Sequence, residues 1–447
     1  MQTVADLIAG GPPLPPQQRK KFLTSTSTTT PRYPRTDLDT LARWDIATDI
    51  AGIADSFRQP LPGVVSLGPY DLDAVNDEES VRANVKASVL KSVLKCLKPF
   101  DLESDFSSTG GNEHVVGAPD FVYHSGGSKR PKIAIEAKTD WAFPQSGSIL
   151  ADWPPGQNYP RTKLVRVIQQ LYGYMTFNYL RFGILTNYTT TWFLRRVHSR
   201  TGGRLEISDA FPITQTPKLI QAYVTVAILA EDEWFYASPT TSPAPQRRVT
   251  ATTRPTPVSD PYVLQSVDIA GIHFSKGVDR SRVGVVVRGT YLGASVIMKV
   301  VDASKQQWAV DELDAEVAAY CDLDPLANTY LPRVLAYVEV WEMLRILILE
   351  DCGENLATYE KRGGNLDSVV KAMCNRCLAA VNALGYVHND VKRQNFVIDP
   401  TGVIRLIDLG QARKGSEFTV RAFENGFAND PKLFLSPGTA TEVIDFA

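Results

Sequence analysis

A stretch rich in proline, serine and threonine, residues 237–261, divides this 447-residue chain near its middle. It holds six prolines, and valine is its only other apolar residue larger than alanine. Proline restricts the backbone, and a segment with so few apolar side chains cannot form a core, so the composition is typical of an interdomain linker. We therefore expect two domains, at 36–236 and 262–447, preceded by a flexible Pro/Ser/Thr-rich tail at 1–35.

The composition is that of an ordinary globular protein. Hydrophobic residues make up 44% and charged residues 21%, which excludes wholesale disorder, a collagen-like repeat and a coiled coil. No apolar run approaches the roughly 18 residues of a membrane helix, and no secretory signal is visible at the N-terminus. Five cysteines without framework spacing suit a reducing compartment. We expect a cytoplasmic or nuclear protein that does not contact a membrane.

The second block, 262–447, changes character along its length. Gly-punctuated, strand-like sequence at 283–301 is followed by a helical pattern at about 306–321 and by two further strand-like runs. Apolar residues then recur at helical spacing over 366–384. A β-rich half followed by a helical half predicts a bilobal α+β domain.

Phosphoryl transfer needs a carboxylate to orient the attacking hydroxyl, oxygen ligands for Mg²⁺ and a cation on the phosphates. In the run VHNDVKRQNFVI, Asp390 and Asn395 share one predicted loop with Lys392 between them. Asp408 opens a D-L-G turn 13 residues after Asn395. The residue types and their spacing fit that chemistry.

This pattern resembles the protein-kinase-like family, with its H-x-D-x-K-x-x-N and D-x-G motifs. The resemblance implies that ATP and Mg²⁺ are used, with Asp390 as catalytic base, Lys392 on the γ-phosphate, and Asn395 and Asp408 as metal ligands. Asn389 stands where the family usually has the arginine that pairs with a phosphorylated activation loop. Only 39 residues follow Asp408, without an A-P-E motif, which implies a shortened C-lobe.

The same resemblance assigns the ATP-binding residues upstream. Lys299, in VIMK, matches the strand lysine that grips phosphate, and Glu316 on the next predicted helix matches its ion-pair partner, with Glu312 as a second candidate. The remaining positions implied are the hinge residues Glu350 and Cys352 and the phosphate-loop glycines Gly277 and Gly284. That loop lacks a clean G-x-G-x-x-G, so a pseudokinase is the alternative.

The first block, 36–236, reads as an α/β domain with a second acidic pattern. Asp120 begins one predicted strand, and Glu136 and Lys138 lie two apart on the next, so their side chains point to the same face. Metal-dependent phosphodiester hydrolysis needs acidic metal ligands and a cation beside the attacking water. The alternative is a solvated strand face.

This pattern looks like the PD-(D/E)xK restriction-endonuclease-like fold, with Asp120, Glu136 and Lys138 as its triad. Gln170 and Tyr174, four apart on the following helix, resemble the Q-x-x-x-Y element of some members, which implies a catalytic role for Gln170. Glu79, at the head of the first long helix, matches the extra acidic metal ligand that some members carry, and Glu78 is equally placed. A nuclease fold used only for binding is also compatible.

Because the net charge is −2, any nucleic-acid surface must be local. Two groups of basic residues are candidates for gripping phosphate. They are Lys91, Lys95 and Lys98 on one helix, and Arg195, Arg196 and Arg200 after a predicted hairpin.

A nuclease-like domain joined to a truncated kinase-like domain resembles the Spok-type spore killers and Crinkler-type effectors of fungi and related organisms. The resemblance implies a poison–antidote, meiotic-drive protein, in which a kinase-like domain restrains a DNA-cutting toxin. The partners implied are ATP, DNA, the chain itself as phosphate acceptor and a second copy in a homo-oligomer. The alternatives are a protein kinase whose N-terminal domain only binds DNA or a partner, and a pseudokinase scaffold.

Overall fold

The chain has a mixed α/β architecture with two separate main sheets. The computed structural model describes residues 2–19, 38–108, 114–127, 130–154, 162–197, 203–236, 260–267, 269–280 and 283–415. The first main sheet lies before residue 237 in the sequence and the second after residue 261. Most of the predicted linker, 237–261, lies outside the described residues.

Helices and strands are interspersed along the chain, with several runs of consecutive strands. The helices are α1 Val4–Gly10, α2 Ile46–Gly52, α3 Glu78–Val85, α4 Lys91–Leu97, α5 Lys163–Phe177, α6 Thr216–Glu233, α7 Gln307–Asp322, α8 Leu356–Lys361 and α9 Ser368–Ala383. The strands are β1 Leu38–Arg43, β2 Asp105–Ser108, β3 Phe121–His124, β4 Ile133–Ala137, β5 Phe182–Thr186, β6 Thr190–Val197, β7 Gly203–Ile207, β8 Phe211–Pro212, β9 Leu264–Val267, β10 Ile272–Arg280, β11 Val285–Tyr291, β12 Ala294–Asp302, β13 Val334–Val340, β14 Leu344–Glu350, β15 Glu354–Asn355, β16 Tyr386–Val387, β17 Phe396–Ile398, β18 Ile404–Leu406 and β19 Arg413–Lys414.

The first sheet has the strand order β1-β7-β6-β5-β4-β3-β2, with β8 beside β6. Strand β4 pairs antiparallel with β3 and parallel with β5, and α5 forms the crossover between β4 and β5. Ile133 and Ile135 of β4 face the core that holds α3, α4 and α6, whereas Ala134 faces the core that holds α5. Because side chains alternate along a strand, Glu136 faces the same side as Ala134.

Local sequence explains where the main helices begin. The Thr162 side chain accepts a hydrogen bond from the backbone N–H of Val165 at the start of α5. Asp77 caps α3 in the same way, and Asp367 accepts from two backbone N–H groups of α9. Such caps satisfy donors that have no partner within the helix itself.

The second sheet has the order β10-β11-β12-β14-β13-β9 and carries α7 after β12. Beyond β14 the chain becomes mainly helical, with α9 packed beside β18 and short strand pairs that hold two loops. The β-rich half and the helical half therefore lie as the sequence pattern predicts.

One apolar core runs between the two sheets. It joins Leu171 and Met175 of α5 to Val287 and Met298 of the second sheet and to Met343. Phe177 of α5 stacks on Trp341, which lies between β13 and β14, with ring centroids 5.4 Å apart. The contact between the two halves is thus built from packed side chains as well as polar groups.

The N-terminal segment departs from the flexible tail expected at 1–35. Thr3 and Asp6 form a capping box at the start of α1. Leu7 is 2% exposed and packs in the core with α3, α4 and α6. The expectation is therefore wrong for residues 2–19, because a short apolar turn with its own cap can add to a core that another segment supplies. Residues 20–37 lie outside the described residues.

Replacing Leu7 with alanine tests whether this segment belongs to the core. Loss of a buried leucine side chain should lower the free energy of unfolding by about 2–5 kcal/mol. Urea denaturation measures the change, and Val64→Ala, at a fully exposed position, is the control. If the two variants have equal free energies of unfolding, the segment does not contribute to the core.

Candidate functional site

A buried lysine joins the two lobes of the second half. Lys299 on β12 contacts Glu316 on α7 at 2.5 Å and Asp408, which precedes the turn Leu409–Gln411, at 2.6 Å. Burial alone would lower the pKa of Lys299, but the charges of Glu316 and Asp408 raise it. The lysine is therefore held as an ammonium between two carboxylates. Of the two candidates for the ion pair, Glu316 forms it. Glu312, the second candidate, lines the adjacent cavity.

The catalytic-loop motif is folded around Asp390. Asn395 donates its side-chain N–H to the Asp390 backbone oxygen at 2.8 Å and to its carboxylate at 2.9 Å. The Lys392 ammonium contacts the same carboxylate at 2.7 Å. His388 lies 3.0 Å from the Ile407 carbonyl oxygen, and burial lowers the pKa of its ring. The loop is thus tied to the strand that leads to Asp408.

One cavity of about 1100 Å³ lies between the lobes, and its lining includes the side chains of Lys299, Glu316, Asp390, Lys392, Asn395 and Asp408. Its lining also includes Gly277, Glu350 and Cys352, the residues that the kinase resemblance assigns to the phosphate loop and hinge. Burial raises the pKa of the Cys352 thiol to about 12, so this cysteine is not a thiolate. We call the cavity with Lys299, Glu316, Asp390, Asn395 and Asp408 the interlobe site.

Gly284, the other predicted phosphate-loop glycine, has a packing reason to be glycine. A Cβ atom there would lie 2.1 Å from the Val300 carbonyl oxygen of the neighbouring strand. The segment between β10 and β11 includes residues 281 and 282, which lie outside the described residues. Close strand approach accounts for Gly284 without a phosphate.

The donors of the interlobe site fit a hard divalent cation. Asn395 uses its side-chain N–H groups on Asp390, which leaves its oxygen as the group for a metal. Asp408 is a carboxylate whose pKa burial would raise but the charge of Lys299 lowers. Carboxylate and amide oxygens are ligands that Mg²⁺ accepts in phosphotransferases.

The second predicted triad also converges. Asp120 precedes β3 and accepts the backbone N–H of Ala137 at 2.7 Å, which fixes it beside β4. Lys138 contacts the Glu136 carboxylate at 2.8 Å, and the side chains of both are 0% exposed. We call Asp120, Glu136 and Lys138 the acidic site. Burial raises the pKa of Glu136, and the neighbouring Asp120 charge raises it further.

The acidic site also holds a lysine that no sequence motif indicates. Lys305, between β12 and α7, places its ammonium 3.0 Å from Asp120 and 3.0 Å from Glu136. Burial alone would raise the pKa of Asp120, but the charges of Lys305, Lys138 and Arg82 lower it. Only a three-dimensional structure finds this contact, since 185 residues separate Lys305 from Asp120.

The other predicted residues of this region lie around the acidic site. Gln170 donates to the Tyr174 hydroxyl at 3.1 Å, and Tyr174 donates to Asp302 at 2.8 Å, so Gln170 is linked to the second half through Tyr174. Glu78 approaches Lys138 to 3.4 Å. Glu79 instead pairs with Arg82, and its side chain is 77% exposed. Of the two helix-head acids, Glu78 is thus the one that faces the site.

Arg195 and Arg196, which follow the predicted hairpin and were expected to bind phosphate, contact other groups of the protein instead. Arg196 is 1% exposed and donates to the backbone carbonyl oxygens of Met175 and Leu180. Arg195 pairs with Asp49 and Glu206. The hypothesis that Arg195 and Arg196 bind phosphate is wrong. Side chains alternate along β6, which turns Arg196 inward, and the carboxylates of Asp49 and Glu206 neutralise Arg195. Arg200 lies outside the described residues.

On the first basic helix, two lysines remain on the surface. Lys91 and Lys98 are exposed, and Lys95 donates to the Ser66 carbonyl oxygen at 2.7 Å. Lys91 and Lys98 therefore supply only a small part of the nucleic-acid surface that the sequence predicts.

Within the described ranges, no three His, Cys, Asp or Glu side chains are grouped so as to hold a metal ion. The acidic site offers the carboxylates of Asp120 and Glu136, a pair that suits a cation, and the Lys305 ammonium lies against both. None of the helices in the described residues is long and apolar enough to cross a membrane.

Comparisons with known proteins concern about a third of the chain. No protein-family model matches it. It is 24% identical over 151 residues to the serine/threonine-protein kinase CBK1 of Yarrowia lipolytica, covering 33% of this chain and 25% of that kinase. It is 28% identical over 161 residues to mitogen-activated protein kinase kinase kinase 2 of Arabidopsis thaliana (33% and 24%), and 26% identical over 170 residues to mitogen-activated protein kinase kinase kinase 1a of Physcomitrium patens (36% and 20%).

The chain thus spans a quarter or less of the length of these curated relatives. Their similarity confirms the prediction that the chain contains a protein-kinase-like region. The nuclease-like character of the first block stays a prediction.

Proposed function

We propose that the chain is an ATP-dependent phosphotransferase whose active site is the interlobe site. The observation that carries this proposal is the Lys299 ammonium held between Glu316 and Asp408 beside the Asp390 loop. In protein kinases, the strand lysine must pair with the helix glutamate while the D-x-G aspartate faces the same cavity. Both contacts are present here, and the similarity to kinases supports the same conclusion.

Each residue has a role that follows from its chemistry. Asn395 and Asp408 would hold Mg²⁺, which neutralises charge on the transferred phosphate. Lys299 neutralises the phosphates that enter the cavity, and Glu316 keeps its ammonium in place. Asp390 would orient the acceptor hydroxyl and take its proton, and Lys392, 2.7 Å from the Asp390 carboxylate, would contact the γ-phosphate. The acceptor we propose is a serine or threonine hydroxyl, including those of this chain.

The Asp390→Asn substitution distinguishes phosphate transfer from nucleotide binding. The amide cannot accept the hydroxyl proton, so phosphate transfer from ATP should fall by roughly 100-fold or more. Nucleotide binding should persist, since Lys299 and Asp408 are unchanged. Transfer of labelled phosphate and thermal shift with ATP and Mg²⁺ measure the two effects.

Asp311→Asn, an exposed position on α7, is the matched control and should transfer phosphate like the wild type. A wild-type chain that is stabilised by ATP and Mg²⁺ but transfers nothing would instead support the pseudokinase scaffold. Absence of that stabilisation as well would remove the nucleotide site.

A second candidate function is metal-dependent cleavage of nucleic acid at the acidic site. The observation that favours it is the convergence of Asp120, Glu136 and Lys138, which the sequence analysis assigns to two successive strands. A carboxylate pair with an adjacent lysine is the set that metal-assisted phosphodiester hydrolysis needs. Asp120 and Glu136 would hold Mg²⁺, which activates water, and Lys138 would stabilise the developing charge. DNA is the substrate we propose.

Lys138→Ala tests this candidate. Loss of the ammonium should reduce cleavage of plasmid DNA by roughly 100-fold or more, because the attacking water loses its neighbouring cation. The assay follows supercoiled plasmid at several Mg²⁺ concentrations, with circular dichroism to confirm that the buried substitution is folded. Lys218→Ala, at an exposed lysine outside every predicted site, should leave any such cleavage unchanged. Cleavage that survives Lys138→Ala would come from elsewhere.

The two activities together make a poison–antidote protein, in which the kinase-like region restrains the nuclease. Phosphate added near Asp120 or Lys138 would bring negative charge to a site that must bind an anionic backbone. The contact of Lys305 with the acidic site supports a physical link between the regions. A kinase whose first block only binds DNA or a partner is the competing form.

Host-cell growth distinguishes these forms. Three chains are expressed: the wild type, Asp390→Ala, and Asp390→Ala with Lys138→Ala. If phosphate transfer restrains the toxin, only Asp390→Ala should arrest growth, since the second substitution removes the toxin itself. Equal growth of all three would mean that loss of phosphate transfer alone does not release a toxin.

A further inference from the structure

The acidic site is closed by a segment of the other half of the chain. The segment Asp302–Lys305 begins at the last residue of β12 and leads towards α7, and the Lys305 side chain is 12% exposed. Its ammonium lies 3.0 Å from both Asp120 and Glu136 and 5.5 Å from the centre of the Tyr174 ring. A single lysine therefore contacts both carboxylates at once.

The position of this lysine is fixed by Asp302. One oxygen of the Asp302 carboxylate accepts the Ala118 backbone N–H at 3.0 Å and the Tyr174 hydroxyl at 2.8 Å. The other oxygen accepts the backbone N–H groups of Ser304 and Lys305, which closes the turn. The same side chain thus shapes the segment and attaches it beside Asp120.

Packing reinforces these polar contacts. Phe177 stacks on Trp341, and Met343 lies so close to Gly173 of α5 that a Cβ atom there would be 2.8 Å from its sulfur. Lys305 is therefore held by a packed interface and a hydrogen-bonded turn, and its ammonium is not free to sample many positions.

Charge and access both oppose activity in this arrangement. A divalent cation would need the carboxylates that the Lys305 ammonium already contacts, and like charges repel at such distances. Asp120, Glu136 and Lys138 are also almost fully buried, with side-chain exposures of 3%, 0% and 0%. Cleavage of a polymer substrate at these groups therefore requires the covering segment to move.

We propose that Lys305 is an autoinhibitory lock: its ammonium occupies the cation position of the acidic site, and the segment Asp302–Lys305 covers the site. The lock rests on the proposed role of Asp120 and Glu136 as cation ligands. It restrains by contact, in addition to any restraint by phosphate transfer. Opening it requires the start of α7 to move away from α5.

The test measures Mn²⁺ binding to the full chain by titration calorimetry without nucleotide. Lys305→Ala should bind Mn²⁺ roughly ten-fold or more tightly than the wild type, because the competing ammonium is gone. Lys305→Arg, which keeps a cation, and Lys218→Ala, an exposed lysine elsewhere, should bind like the wild type. The gained binding should disappear in Lys305→Ala with Asp120→Asn.

Stability gives a second readout, since removal of Lys305 leaves two buried carboxylates with less counter-charge. Lys305→Ala should melt below the wild type without metal, and Mn²⁺ should restore more of its melting temperature than it adds to the wild type. Lys305→Gln keeps most of the side-chain length and should respond in the same direction, which provides a folded variant if alanine is not tolerated.

Three outcomes decide the matter. Unchanged or weaker Mn²⁺ binding in both folded variants, or a gain that survives Asp120→Asn, would overturn the lock. Lower plasmid cleavage in Lys305→Ala with unchanged metal binding would also overturn it and make Lys305 a catalytic lysine. A gain in Mn²⁺ binding without plasmid cleavage would support the lock and reject the nuclease function.

Discussion

Two carboxylates buried next to each other, those of Asp120 and Glu136, set the main constraint on how the halves of this chain fit together. Burying a charge without a partner costs several kcal/mol, and two like charges in contact add to that cost. Lys138 and Arg82 come from the first half, but Lys305, which contacts both carboxylates, comes from the second. The shared apolar core determines where Lys305 lies, and Lys305 in turn makes the burial of both carboxylates tolerable.

The interlobe site and the acidic site share one structural element. Helix α7 carries Glu316, which holds Lys299, and it begins two residues after Lys305. A helix moves largely as a rigid body, so a shift of α7 that opens the acidic site also acts on the Lys299–Glu316 contact. Coupling between sites requires an element that both sites bias, and α7 meets that requirement geometrically.

The sequence alone predicts those parts of the interlobe site and the acidic site that depend on local structure. Strand alternation places Glu136 and Lys138 on one face, and the spacing from Asp390 to Asp408 reflects a loop and a hairpin whose lengths are set locally. Lys305 was missed because it lies in no motif and meets Asp120 only through the packing of two sheets. The sequence alone did not predict the burial of Arg196 or of Leu7 for the same reason. The exposure of a side chain depends on neighbours that are distant in sequence.

Asn389 shows how the interlobe site keeps its arrangement without the arginine expected in a kinase catalytic loop. Its backbone is left-handed (φ 61°), a conformation that asparagine tolerates better than most residues. Its side chain donates to the carbonyl oxygens of Val387 and Gln411, which ties the Asp390 loop to the segment after Asp408. The hydrogen bond to Gln411 is thus a neutral link at the position where the kinase catalytic-loop motif has an arginine.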